Sequence, residues 1–284
     1  MTLPNFLIIG ANRSGTTSLH YYLGQHPQIF MSANKEPHFF MLTGIAYDTE
    51  RPDKSLMRNA TFSLSEYTAL FADAGAAKAI GEASTGYLAH PNAPIQIHKF
   101  IPDCKLIAIL RNPVERAYSA FIKNIERGVE PLYDFGQAVE KELAGGDWRF
   151  YVSVGFYARQ LKTYAALFPK SQLRVYLYED LHAPQKLMLD IFTFLDVDAS
   201  FQPNLATQHN PSRIPLHRLR GVDYWRMRYW YWRNSRSRNP GAPPRVAPPL
   251  KPAVRRKLIE HYRADMLELE QMLDRDLSTW FAYS

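Results

Sequence analysis

An apolar run, Phe6-Leu7-Ile8-Ile9, leads directly into Gly10-Ala11-Asn12-Arg13-Ser14-Gly15-Thr16-Thr17, and no other stretch restricts the fold as much. A strand that ends in a glycine loop and continues as a helix is a β–loop–α unit. The glycines let the backbone turn tightly, so several amide N–H groups and a helix N-terminus face one anion. The loop has the shape of a P-loop, yet Thr16 stands where the motif of nucleotide triphosphatases has its lysine. No apolar strand ends in an evident magnesium-binding aspartate either. A P-loop kinase or NTPase therefore stands only as an alternative. The cation present is Arg13, inside the loop.

The rest of the chain supports an α/β fold. Short β-branched apolar runs alternate with helical periodicity, which predicts a single domain over 1–284 with a central, mostly parallel sheet flanked by helices. Expected strands are Phe6–Ile9, Ala79–Gly81, Lys105–Leu110 and Gln172–Leu177. Expected helices are Thr16–Leu23, one from the capping-box pattern Ser63-Leu64-Ser65-Glu66 to about Ala72, one between Asn92 and Phe100, and one from Pro113. Others are predicted near Phe135–Leu143, Tyr157–Phe168, Pro184–Leu195 and Val254–Leu273. Between the last two, residues from about 213 to 252 form a basic, arginine- and aromatic-rich, then proline-rich excursion. It reads as a lid-like surface segment.

A formal charge of +7 favours anionic ligands. Arginines interleaved with aromatics would also suit a non-enzymatic binder of nucleic acid or of an anionic surface, the second alternative. The single cysteine, Cys104, excludes an intrachain disulfide and a cysteine-cluster metal site, and the nine histidines show no ligand spacing, so no metal is expected. No run approaches the ~18 apolar residues of a membrane span. The expectation is a cytoplasmic protein with at most weak membrane-surface contact.

A second block, Lys105-Leu106-Ile107-Ala108-Ile109-Leu110-Arg111-Asn112-Pro113 with Ala117-Tyr118-Ser119, closes an apolar strand with an arginine and places a serine eight residues on. A third is Lys35-Glu36-Pro37-His38-Phe39-Phe40, and a fourth is Glu82-Ala83-Ser84-Thr85-Gly86-Tyr87. Together with Gly10–Thr17 these blocks resemble the sulfotransferases that use 3′-phosphoadenosine 5′-phosphosulfate (PAPS). In motif style they are closest to the glycan and heparan branch, in a compact, bacterial-like form. The resemblance spans nearly the whole chain, and its two phosphate loops are specific in combination.

The resemblance implies a role for each block. Asn12, Arg13, Ser14, Gly15, Thr16, Thr17 and Ser18 would hold the 5′-phosphosulfate. Arg111 and Ser119 would bind the 3′-phosphate, and Tyr157, Ser212 and Arg213 would complete the nucleotide site. Glu36 would be the base, Arg13 would stabilise the charge of the leaving group, and His38 would position acceptor or base. Glu82 and Tyr87 would line the acceptor cleft. The product would be 3′-phosphoadenosine 5′-phosphate (PAP), and the acceptor a hydroxyl, less readily an amine, of a carbohydrate, lipid or secondary metabolite rather than nucleic acid. The chain departs from the pattern with Arg13 for a lysine, Ala83 for a lysine and Thr85 for a proline. It also lacks the Lys-Gly-Arg pattern near Arg213.

Overall fold

A computed structural model describes residues 2–43, 59–127, 129–132, 134–146, 150–206 and 250–283. In chain order the elements are β1 (Phe6–Gly10), α1 (Thr16–Leu23), β2 (Ile29–Met31), α2 (Phe39–Leu42), α3 (Leu64–Ala69), β3 (Ala79–Ala83), α4 (Ala93–Phe100), β4 (Lys105–Leu110), α5 (Pro113–Arg127), α6 (Phe135–Leu143), α7 (Tyr157–Ala165), β5 (Leu173–Leu177), α8 (Pro184–Phe194) and α9 (Pro252–Leu273). They fall into two compact units, residues 1–111 with 157–209 and residues 112–156 with 210–284.

The first unit carries a five-stranded sheet in the order β2-β3-β1-β4-β5. All its pairings are parallel. The central strands show why the sequence reads as it does. Every residue of β1, FLIIG, is buried, and so is all of β4 after Lys105, as expected where helices cover both faces of a parallel sheet. Phe6 and Ile8 of β1 join Ile107 and Ile109 of β4 in one core with residues of α1 and α8. At the edges, β2 and β5 are only partly buried.

Close packing sets one glycine. Phe6 pairs with Gly81 across the sheet, and a Cβ on Gly81 would lie 2.3 Å from the Phe6 ring. The aromatic side chain occupies the space that a larger residue on β3 would need.

The order of strands places a functional edge. Strand β1 feeds α1 and then β2 on one side of it, while β4 and β5 build the other side. Ligands in such sheets bind beyond the carboxyl ends of the strands, where the order reverses. Here that position lies between Gly10 and Leu110, at the starts of the two phosphate-type loops.

The second unit is helical among its described residues. Asn112 caps α5, its Oδ1 accepting from the Val114 and Glu115 amides at 3.0 and 3.4 Å, while its Nδ2 donates to the Trp280 carbonyl. Helix α9 is joined to this unit by Tyr262, whose hydroxyl donates to the Val152 carbonyl at 2.8 Å, and by an Arg255–Glu115 ion pair.

Candidate active site

The loop after β1 makes its turn through left-handed backbone. Gly15, the residue before α1, has φ +94, and Arg13 has φ 68. The positive φ favours glycine at position 15, and a Cβ there would also sit 2.5 Å from Leu181 Cδ1. Gly15, at the N-cap position, brings no side chain to cap the first turn of α1. Ser14 is fully buried, and among the described residues its hydroxyl has no hydrogen-bond partner. A helix start without a side-chain cap, a buried unpartnered hydroxyl and a loop arginine fit a phosphate-like anion. Thr16 is buried, Thr17 and Ser18 are half-buried, and Asn12 is exposed.

Arg111 leaves the end of β4 toward this loop. Its Nη1 donates to the Arg13 carbonyl at 3.5 Å, and its guanidinium lies 4.8 Å from the centre of the Tyr178 ring. The same ring borders Gly15. The segment from Tyr178 to Leu181 thus presses on both groups expected to meet phosphate.

Glu36 and His38 also have left-handed backbone, with φ 67 and 55. Among the described non-glycine residues only Phe150, Asp196 and Asp274 share this with Arg13, Glu36 and His38. Each such residue stores about 1 kcal/mol or more of strain, and strain of this kind gathers at working sites. All three residues expected to carry the chemistry are in this state.

The end of β3 and the turn after it hold the Glu36 segment in place. Glu36 donates its amide to the Ala83 carbonyl at 2.9 Å. Its Oε2 accepts from the Thr85 amide at 2.8 Å, and its Oε1 from the Thr85 hydroxyl at 3.0 Å and Lys35 Nζ at 2.7 Å. His38 Nε2 stands 3.7 Å from Oε2. Burial pushes the Glu36 carboxyl up, but the charges of Lys35 and His38 and the hydrogen bonds from Lys35 and Thr85 outweigh it, so the group titrates below its ordinary value. Thr85 was legible in the sequence only as a departure from the family's proline. A proline has neither an amide N–H nor a hydroxyl to give, so the departure supplies both of the bonds that Thr85 makes to Glu36.

This segment lies beside the phosphate loop. A Cβ on Gly10 would come within 3.3 Å of the Thr85 carbonyl. On α1, His20 is buried and feels both Lys35 and Glu36. Burial first, and then Lys35, lower its pKa to about 4, leaving it neutral near pH 7.

Glu82 and Tyr87, expected along an acceptor cleft, are fully buried beneath the Glu36 segment. Burial raises Glu82 to about 7 against the opposing pull of the Tyr87, Ser84 and Tyr67 hydroxyls. Tyr157 is buried at the start of α7, and Ser119 is half-buried on α5 in the second unit. Ser212 and Arg213, with most of the 213–252 excursion, lie outside the described residues. Among the described residues no group of three histidine, cysteine, aspartate or glutamate side chains could hold a metal, and no helix is long and apolar enough to cross a membrane.

A parallel five-stranded sheet flanked by helices, with a glycine loop after its central strand and an arginine closing the neighbouring strand, defines an α/β protein. Within that class the chain belongs to the sulfotransferase family, whose model matches residues 4–202. It is similar to a sulfotransferase from Alicyclobacillus acidocaldarius, at 28% identity and a TM-score of 0.78 over 99% of this chain and 100% of that one. Among curated proteins it is 24% identical to the membrane-associated sulfotransferase kil1 of Dictyostelium discoideum over 74% of this chain and 60% of that one. It is 30% identical to mouse heparan sulfate glucosamine 3-O-sulfotransferase 6 over 59% of this chain and 44% of that one. The chain thus spans about half the length of these two curated relatives.

Proposed function

We propose that this sulfotransferase takes its sulfuryl group from PAPS and passes it to a hydroxyl by in-line displacement, with Glu36 as base. The observation that carries the reading is the Glu36 carboxylate, held by Thr85 and Lys35 on a left-handed turn beside the Gly10–Thr17 loop. Sulfuryl transfer to an alcohol needs a group to take the hydroxyl proton, because the neutral alcohol attacks poorly. Glu36 would take that proton as the acceptor oxygen bonds to sulfur and the bond from sulfur to the bridging oxygen breaks. PAPS supplies the activated sulfuryl group and leaves as PAP.

The loop residues would hold the 5′-phosphate end, with Arg13 neutralising charge that grows on the bridging oxygen. Losing one preorganised contact of this kind typically costs ~10²–10³-fold in rate. Arg111, steadied by the Tyr178 ring, would grip the 3′-phosphate. A carbohydrate hydroxyl is the favoured acceptor class, supported by the Glu36–Phe40 motif and by relatives named for heparan sulfate and carbohydrate substrates. Lipid and secondary-metabolite hydroxyls come next.

Calorimetric titration with PAP and with 5′-AMP, without magnesium, tests the donor. PAP should bind at least about tenfold more tightly, or ~1.4 kcal/mol, and Arg111→Ala should erase most of that margin. Equal affinities for the two nucleotides would remove PAPS from the reading.

A further inference from the structure

Buried beneath Glu36 and His38 is a cluster for which the reaction as drawn has no use. Glu82, at the fourth position of β3, is fully buried, as are Ser84, Tyr67 and Tyr87 around it. Tyr67 Oη donates to Glu82 Oε1 at 3.2 Å and Ser84 Oγ donates to Oε2 at 2.9 Å. The Ser84 and Tyr87 hydroxyls also meet the strained segment. Ser84 Oγ accepts the His38 amide at 3.1 Å, and Tyr87 Oη accepts the Phe40 amide at 3.4 Å.

A hydroxyl has one proton to give. Ser84 can receive a backbone amide and remain satisfied in the interior only if something else takes that proton. A carboxylate presents about four acceptor positions and no donor, which suits two converging hydroxyls, one on each oxygen. We propose that Glu82 is a positioning residue of the reaction centre. Through the Ser84 hydroxyl it fixes the backbone at the start of the His38–Phe40 turn, and with it the place of His38 beside Glu36. A glutamine at 82 would put an N–H donor where one carboxylate oxygen now accepts, so a hydroxyl proton would be left without an acceptor and the Ser84 contact to the His38 amide would loosen. Among the described residues, the titratable groups that interact electrostatically with Glu82 include Tyr67, Tyr87, Glu36 and Cys104. The ionised form is the one that leaves both oxygens free to accept.

The proposal rests on Glu36 and His38 forming the reaction centre, but it can be read without substrate. Amide hydrogen exchange of ¹⁵N-labelled protein, corrected for intrinsic rates, follows His38 and Phe40 individually. Glu82→Gln should lower protection of the His38 amide by at least about tenfold. Ser84→Ala should do the same at His38 only, while Tyr87→Phe should act at Phe40 only. In the unsubstituted protein the His38 amide should gain protection as pH rises through about 7, where Glu82 ionises.

Unchanged protection in a folded Glu82→Gln protein overturns the proposal. Should that variant not fold, the two hydroxyl variants and the pH series decide. Equal effects of Ser84→Ala at both amides, or no pH step, then overturn it. A PAP titration of the unsubstituted protein runs alongside. Failure to bind PAP would strike the PAPS reading and leave the exchange result standing.

Discussion

At the scale of single residues, the proposed base Glu36 has to be ionised to accept a proton, and its surroundings favour that form. Its carboxyl lies below the ordinary 4.5, so the ionised form is lost only as pH falls through that lower value. The acid limb of a pH–rate profile should therefore sit below pH 4.5. Thr85→Ala removes the hydroxyl bond to Oε1 and should move that limb upward, while Glu36→Gln should cut turnover by ~10²–10⁴-fold with PAP affinity little changed. A Thr85→Ala profile that coincides with the parent's would mean that this bond does not tune the base. Glu82 has the opposite sign. Its carboxyl is raised from 4.5 to about 7, so between those values the folded chain binds a proton that the unfolded chain has released. That contribution favours folding at low pH and is lost as pH rises through about 7. Melting curves of Glu82→Gln should accordingly lose less stability between pH 5 and 8 than those of the unsubstituted protein.

Among the elements, the central strands decide most. Gly81→Ala would drive a methyl group into the Phe6 ring and should cost about 1–3 kcal/mol, measurable by urea denaturation. If the variant is as stable as its parent, the strand contact is looser than described. The strands and long helices were legible because their signals are strong: β1 and β4 are continuous apolar runs, Asn112-Pro113 opens α5, and Ser63 with Glu66 forms the capping box expected. Helix α3 nevertheless stops at Ala69 and is followed by a 3₁₀ turn at Ala72–Ala74. Strand β2 and helix α2 went unread. Three and four residues long, they exist through tertiary pairing, with β2 joined to β3 from Ile29↔Ala79 to Met31↔Gly81. For the site, the motifs named Arg13, Glu36, His38 and Arg111, but partners distant in sequence stayed hidden. Thr85 reaches Glu36 across 49 positions, and Tyr178 reaches Arg111 only because β5 lies beside β4.

For the molecule as a whole, a ligand that binds only the folded state stabilises it by mass action. PAP at a hundred times its Kd should add about 2.7 kcal/mol, seen as a rise in Tm of several degrees. 5′-AMP at the same concentration should add less. If the two units melt in separate steps, the step that responds should be the one containing the Gly10–Thr17 loop. A uniform response to both nucleotides would show that neither phosphate is singled out. The net charge of +7 adds a general attraction for anions, so the comparison belongs at ~0.15 M salt, where long-range terms are screened.

The left-handed backbone at Arg13, Glu36 and His38 also bears on how this protein would respond to laboratory evolution. Glycine or asparagine adopts that conformation more readily than arginine, glutamate or histidine. A library selected for heat resistance alone would find relief at these three positions and would accumulate replacements there. The survivors would be sturdier and inert, the usual cost when selection rewards durability and ignores turnover. Any thermostabilised descendant should be bred with these three codons held constant.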